Sequence, residues 1–320
     1  MPRGPQGHRA SAREDGVVGV GEAEGTRSVD PPGGPATPGL VLVATPIGNL
    51  GDLSPRALAA LRDADAVLCE DSRVTGGLLA RQGIAATMIP LHDHNEAAQA
   101  PRLVERMKSG ERFALVSDAG TPLVSDPGYR LVRAAIEAGV AVSAVPGPNA
   151  AVTALALSGL PPHPFLFLGF LPAKAGPRAA ELARLRAVER AGLSATLVFF
   201  EAPHRLGEAL AAMAGAFGPD RPAAVAREMT KRFEEVRRGR LADLATHYAT
   251  AEARGEICVV VGPAPEETAG EGELDERLRD ALAAGMSLRD AAASVAAATG
   301  LRRREVYARA LALAGEAERG

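Results

Sequence analysis

Two stretches of this chain combine acidic, basic and turn-forming residues directly after apolar runs. CEDSR (69–73) follows AVL and sets Glu70, Asp71 and Arg73 side by side. A carboxylate there can accept a proton or orient a hydroxyl. Adjacent side chains on extended chain point to opposite sides, so only one of the two acids faces a cleft. The alternative is a surface pair, with Asp71 capping the next helix and meeting Arg73. SDAGTPLVSDPG (117–128) follows RFALV and packs two Asp, two Gly and two Pro into one loop. Gly120 lets the backbone turn or approach a ligand, and Pro122 fixes φ and removes a donor. Asp126-Pro127-Gly128 makes a second turn before a helix. The first turn exposes backbone N–H and C=O groups of residues 119–121, which suit the ammonium and carboxylate of an amino-acid-like ligand. On these residues alone the loop is either a doubled turn or a ligand wall.

Other segments are less specific. TPIGNLGD (45–52) is Gly-rich but has neither G-x-G-x-x-G spacing nor the terminal G-K-[ST] of a P-loop, so it is not a phosphate cradle. It reads as a tight strand-to-helix turn or a close approach to a flat ligand. FFEAPHR (199–205) leads through Glu201 to His204 and Arg205, and AREMTKRFEE (226–235) places Arg227, Glu228 and Lys231 at another strand end. Arg205, Arg227 and Lys231 could hold phosphates, or each could be an ordinary ion pair. HDHNE (92–96) puts two His two residues apart with no third ligand at metal spacing, so no metal site is expected.

Short apolar runs alternating with helical periodicity must position these loops. Strands are expected at 40–44, 66–69, 86–91, 112–116 and 140–145. Helices are expected at 55–64, 74–83, 129–139 and 149–159, with another after 92 that Asn95 caps. This is the pattern of a mostly parallel sheet covered on both faces. Ligands in such sheets lie beyond the C-terminal strand ends, which places 45–52, 70–73, 117–128 and 146–149 on one rim. A second α/β unit runs from 161 to 263, with strands near 165–171, 196–201, 223–228 and 255–263 and a hairpin through 232–238. Residues 264–274 read as an acidic linker. Residues 275–316 read as three short helices in a helix-turn-helix arrangement, with Arg302, Arg303 and Arg304 exposed at the start of the last.

Composition narrows the function classes. The net charge of −3 advertises no polyanionic partner, although a local patch could still bind one. With no Trp and 3% aromatics, stacking platforms for single-stranded RNA are few. The stretch 138–173 holds no Asp, Glu, Lys or Arg, yet six prolines interrupt it, so it is a buried run of strands and one helix rather than a membrane span. Cys69 and Cys258 sit in apolar contexts and read as buried thiols of a cytoplasmic protein. Residues 1–39, with six Pro and nine Gly, have too little to bury and read as a disordered extension, neither signal nor transit peptide.

Taken in order, VATPIGNLGDLSPRAL, VLCEDSRVT, HDHNE, LVSDAGTPLVSDPG, VPGPNAAVTALALSGLP, FLGFLP, FFEAPHR, AREMTKRFEE and RGEICVVV span 40–262. Together they resemble the RsmI family, the bacterial small-subunit ribosomal RNA cytidine 2′-O-methyltransferases of the tetrapyrrole methylase-like superfamily. The helical unit resembles the appendix of many members. The resemblance implies a two-domain class III methyltransferase fold, with S-adenosylmethionine folded into the cleft. It also implies a homodimer acting on a cytidine 2′-hydroxyl of 16S ribosomal RNA in the assembled 30S subunit.

By motif, Pro46, Asp118, Ala119, Gly120, Thr121 and Pro122 form the N-terminal part of the cofactor wall. Phe200, Glu201, Ala202 and Ala226 form the C-terminal part, with Gly255 and Glu256 nearby. Phe200 and Ala202 replace a Tyr and a Ser of many members and carry no hydroxyl here. Asp71 is the first candidate to take the hydroxyl proton, and its Asn variant is expected to lose turnover far more than cofactor affinity. Lys231 and Arg227 are the candidates for phosphate positioning, and Arg73, Arg205, Arg302, Arg303 and Arg304 for further substrate contacts. No metal is required. The rival readings are a tetrapyrrole methylase on the same fold and a non-catalytic ribosome-assembly factor.

Overall fold

The computed structural model describes residues 39–265, 271–299 and 301–317. Of the expected 1–39 extension only Gly39 is therefore described, and residues 266–270 of the expected acidic linker lie outside the described residues. The first sheet contains β1 (Gly39–Val43), β2 (Ala66–Cys69), β3 (Met88–Pro90), β4 (Arg112–Val116) and β5 (Ala141–Val145) in the order β3-β2-β4-β1-β5. Every pairing in it is parallel. Its helices are α1 (Pro55–Asp63), α2 (Ser72–Arg81), α3 (Asp93–Lys108) and α4 (Tyr129–Glu137). Leu40, Leu68, Phe113 and Leu115 pack towards α3 and α4, and Val43, Val67, Ala114 and Val116 pack with α1 and α2. Alternate residues of the central strands thus feed two cores, which is why these strands read as continuous apolar runs.

Helix starts follow local chemistry. Ser54 Oγ accepts from Ala57 N at 3.1 Å with Pro55 at the first helical position, a cap of about 1 kcal/mol. Asn95 does not open α3 as the sequence suggested. It stands in the first turn, and its Oδ1 reaches back to accept from His92 N at 2.8 Å.

The second sheet has the order β6-β7-β10-β8-β9, with β6 (Phe165–Phe170), β7 (Thr196–Glu201), β8 (Pro222–Arg227), β9 (Glu235–Arg240) and β10 (Ile257–Val261). β8 and β9 form the expected hairpin, and β10 runs antiparallel to both β7 and β8. One face is covered by α6 (Ala175–Arg190), α7 (Leu206–Phe217) and α8 (Leu241–Thr250) around Phe199, Leu206, Leu210 and Met213. The other face is covered by α5 (Ala150–Ser158), whose Ala151, Ala154 and Leu155 meet Val198, Ala224, Ala226 and Val260. α5 thus follows the first sheet in sequence but packs on the second.

The charge-free run 138–173 is not buried throughout, contrary to the sequence expectation. β5 and β6 are the edge strands of their sheets, and Val152, Phe165 and Phe170 are 52%, 44% and 55% exposed. At the C-terminus, α9 (Glu271–Ala283), α10 (Leu288–Thr299) and α11 (Arg303–Ala317) enclose Leu278, Ala292, Val295, Val306 and Ala310. α9 begins at Glu271, inside the segment expected to be linker. Among the described residues no helix is long and apolar enough to cross a membrane.

Candidate active site

The C-terminal ends of β6 and β7, the turn after β8 and the start of antiparallel β10 share one edge of the second sheet. That edge faces the C-terminal rim of the first. Between them lies a cavity of about 450 Å³. From the first sheet it is lined by Ile47, Glu70, Asp118, Ala119, Val124, Ser125 and Asp126, with Ala150 at the start of α5. From the second come Phe170, Phe200, Glu201, Ala202, Pro203, Met229 and the segment from Gly255 to Cys258. At one end the walls are joined directly, because Asn49 N donates to Thr230 Oγ1 at 3.1 Å.

The loop after β4 is built differently from its sequence reading. Gly120 N donates to Thr45 O at 3.1 Å, and Thr45 N donates to Gly120 O at 2.8 Å. Thr45 Oγ1 donates to Ser117 O at 3.1 Å, and Thr121 Oγ1 donates to Pro148 O at 3.0 Å. The backbone groups of Gly120, expected to meet a ligand, are thus spent on tying two loops together. Gly120 and Pro122 are buried, and neither they nor Thr121 border the cavity. Asp118 and Ala119 do, and so do Val124, Ser125 and Asp126, the last of which the sequence placed in a second turn before a helix. Leu123 and Ser125 hold φ of 72° and 70°, uncommon for non-glycine residues and frequent at ligand clamps. Glu228 and Thr230, across the cavity, hold φ of 50° and 64°.

Two other assignments to the wall also change. Ala226 is fully buried in the sheet core against α5. Pro46 faces a neighbouring recess of about 340 Å³ with Gly48, Leu50, Arg73 and Val74, and Asp118 separates that recess from the main cavity. Phe200, Glu201, Ala202, Gly255 and Glu256 line the main cavity, with Phe200 edge-on to Phe167 and Phe170 at 4.9 and 5.6 Å.

Asp71 does not reach the main cavity. Its Oδ1 accepts from Arg73 N at 2.8 Å, capping α2, and its Oδ2 accepts from Arg73 Nη2 at 2.6 Å. The Arg73 side chain, then its backbone N–H, hold this carboxyl down at about 2, which makes it a poor proton acceptor. Asp71 shares a shallow recess with Glu70, Ser72, Arg73, Pro90 and His92. The surface-pair alternative for CEDSR is the arrangement found, with Glu70 as the acid facing the cleft.

The cations on the second wall are engaged as well. Arg205 is tied to Glu201 at 2.5 Å, with side chains 18% and 1% exposed. The carboxylate of Glu201 is too buried to stand without this partner, so Arg205 is a structural ion pair rather than a phosphate ligand. Arg227 meets Glu235 at 2.6 Å. Lys231 meets Glu228 at 2.8 Å and Glu256 at 3.1 Å. Burial pulls its ammonium down, but these carboxylates outweigh it and raise the group above its ordinary value. Lys231 stays partly open at the rim, where Phe233 is 65% exposed with Arg232 over its ring at 5.6 Å. Sequence reasoning passed over Phe233, because nothing in TKRFEE marks which residue stands at the loop tip.

Two carboxylates carry the site's distinctive electrostatics. Burial, then Glu70 and Asp118, push Asp126 up to about 7. Burial, then Asp118, raise Glu70 above the usual carboxylate range. Cys69 and Cys258 are buried free thiols. The rings of His92 and His94 stack at 5.0 Å.

Comparison with known proteins decides the family. The Tetrapyrrole (Corrin/Porphyrin) Methylases match residues 39–245, and the RsmI C-terminal HTH domain matches 268–314. A Mesorhizobium japonicum protein, "Ribosomal RNA small subunit methyltransferase I", is 49% identical over 90% of this chain and 98% of its own length. A Pseudomonas aeruginosa protein of the same name is 45% identical over 87% and 98%. The chain belongs to the RsmI family. Among solved structures, diphthine synthase aligns with a TM-score of 0.53 at 20% identity, covering 70% of this chain and 90% of that one. The methyltransferase CobJ aligns at 0.51 and 23%, covering 70% and 94%. These two likenesses show the methylase fold. Membership in the RsmI family makes the chain a methyltransferase, and the cavity between its sheets is where the described residues concentrate ligand-facing chemistry.

Proposed function

We propose that the chain transfers a methyl group from S-adenosylmethionine to the 2′-hydroxyl of a cytidine in 16S ribosomal RNA, acting on the 30S subunit in the cytoplasm. The observation that carries the reading is the match to RsmI relatives along both the methylase core and the helix-turn-helix appendix.

The cavity fits the donor. Its volume lies in the range of small-molecule sites. Ile47, Val124, Phe170, Phe200 and Met229 offer apolar walls to an adenine, while Glu70 and Asp118 offer negative charge to a sulfonium and an ammonium. When bound, the cofactor supplies a methyl already activated on sulfur. The protein's work is therefore alignment and exclusion of water. In this reading Asp118, Ala119, Phe200, Glu201, Ala202, Gly255 and Glu256 line the cofactor. Gly120, Thr121 and Pro122 hold the wall from behind, and Ala226 supports it from the core. Lys231 stands at the rim as the phosphate-positioning cation, and Arg227 orders the hairpin that carries it. Arg73 on one side and Arg302, Arg303 and Arg304 of the helical unit extend the cationic surface. The two methylase halves meet at the start of α5 rather than after residue 160, and residues 275–316 serve as the RNA-facing appendix.

A homodimer is supported by the charge-free run. Among the described residues β5 and β6 leave edge backbone unpaired beside exposed Val152, Phe165 and Phe170, a surface that a monomer would normally protect with charge. Labelled-methyl transfer to 30S subunits, naked 16S RNA and a porphyrinoid tests the whole reading, followed by nucleoside analysis of the product. The expected result is 2′-O-methylcytidine from 30S subunits. Transfer to the porphyrinoid or to nothing refutes it.

A further inference from the structure

Five carboxylates border the cavity: Glu70, Asp118, Asp126, Glu201 and Glu256. Three are committed. Asp118 Oδ1 accepts from Asp71 N at 3.1 Å. Glu201 accepts from Ala202 N at 2.7 Å and pairs with Arg205. Glu256 pairs with Lys231. Among the described residues Glu70 and Asp126 have no hydrogen-bond donor.

Of these two, Asp126 has its aim fixed. Leu123 and Ser125 before it hold left-handed backbone, and Pro127 after it restricts Asp126 itself to extended geometry. Gly128, at φ 127°, has no room for a side chain: a Cβ there would lie 2.6 Å from Leu115 Cδ2 and 2.7 Å from Leu123 Cδ2. A loop of that cost, directing an unpartnered carboxylate into a cavity, is explained by a group that comes and goes there. We propose that Asp126 is the residue that takes the proton from the acceptor hydroxyl during methyl transfer, an inference that rests on the ribose reading above.

The surrounding charges suit this task. Glu70, Asp118 and Asp93 act on Asp126 with the same sign. Glu228 and Glu256 hold Lys231, Glu201 holds Arg205 and Asp71 holds Arg73, while His92 acts on Glu70. No cation among these is left to keep Asp126 strongly acidic. A carboxyl that titrates near neutrality is half ionised at working pH, where base catalysis is most effective.

In the step, the hydroxyl proton passes to an Asp126 carboxylate oxygen while the hydroxyl oxygen forms the O–CH₃ bond. The S–CH₃ bond breaks with its electron pair on sulfur, so a sulfonium becomes a neutral thioether. Asp126, now a neutral acid, returns the proton to water as product leaves.

The test is single-turnover methyl transfer to 30S subunits by wild type and Asp126→Asn across pH 5.5–9, with nucleoside analysis of product. The expected result is a loss of about 100-fold or more in rate. The wild-type rate should level off above about 7, and the variant's should keep rising with pH. Melting provides a readout independent of activity. Because Asp126 binds its proton more tightly when folded, its contribution to stability falls as pH rises from about 4 towards about 7. Asp126→Asn should therefore melt above wild type at pH 8, with the gap closing near pH 4. Equal rates overturn the inference, and so does a loss that is uniform in pH with the profile unchanged. A wild-type product without ribose methylation overturns the proposed function and this inference with it.

Discussion

The start of β10 offers the sharpest test of how the second wall is held. Gly255 lines the cavity with φ of 84°, and a Cβ built on it would lie 2.0 Å from Glu228 Oε1 and 2.2 Å from Glu228 Cδ. Gly255→Ala therefore combines two penalties. Left-handed backbone in an L-residue costs about 1–2 kcal/mol. The Glu228 carboxylate must also move, giving up Glu256 N at 3.1 Å and Lys231 Nζ at 2.8 Å. For partly exposed groups that adds about 1–2 kcal/mol. The sum is about 2–4 kcal/mol, which corresponds to a fall in Tm of roughly 3–6 °C for a chain of this size. Because Glu256 shifts with its neighbour, S-adenosylmethionine affinity should fall about tenfold, equivalent to about 1.4 kcal/mol. Thermal melts and titration calorimetry on Gly255→Ala, Glu228→Ala and the double variant read both effects. In the Glu228→Ala background the clash is gone, so only the backbone penalty should remain. An equal cost of Gly255→Ala in both backgrounds, or a wild-type melt, refutes the packing argument.

Asp71→Asn should keep the α2 cap, since Asn caps as well as Asp, and should leave turnover on 30S subunits within about threefold; a hundredfold loss in a steady-state assay would return Asp71 to the reaction. Phe233→Ala should weaken RNA binding by about 1–3 kcal/mol if the exposed ring stacks on a base, with cofactor affinity unchanged by calorimetry. Replacing Arg302, Arg303 and Arg304 together with Gln should reduce the salt dependence of RNA binding by about two to three in the logarithmic slope, measured by filter binding at several ionic strengths.

The parallel half of the fold is legible because its central strands, such as RFALV and AVLC, are buried on both faces and show as unbroken apolar runs. The helix after Ser54-Pro55 announces its own start. The rim of loops follows from strand polarity alone. What could not be read is where polar groups spend their bonds. Gly120 looks free in sequence, and only the fold brings Thr45 to it. Arg205 looks like a phosphate ligand until Glu201 is seen buried behind it. Asp126 looks like turn chemistry because the lack of a donor is a property of the surroundings, not of Asp-Pro-Gly. The run 138–173 misled for a related reason: absence of charge is shared by interiors and by the edge strands β5 and β6, and composition alone does not tell them apart.

The placement of α5 has a consequence for how the chain is made. The helix leaves the ribosome with the first half, yet the strands whose bare face it covers have not been synthesised. Until they arrive, Ala151, Ala154 and Leu155 lack the sheet they cover. When they do arrive, the new sheet is sealed by a piece already waiting. A gene cut after residue 160 would give two fragments, one with a superfluous helix and one with an uncovered sheet. A cut just before Asn149 would keep the seal with the sheet it fits. The natural border between the halves therefore lies one helix earlier than the order of strands suggests.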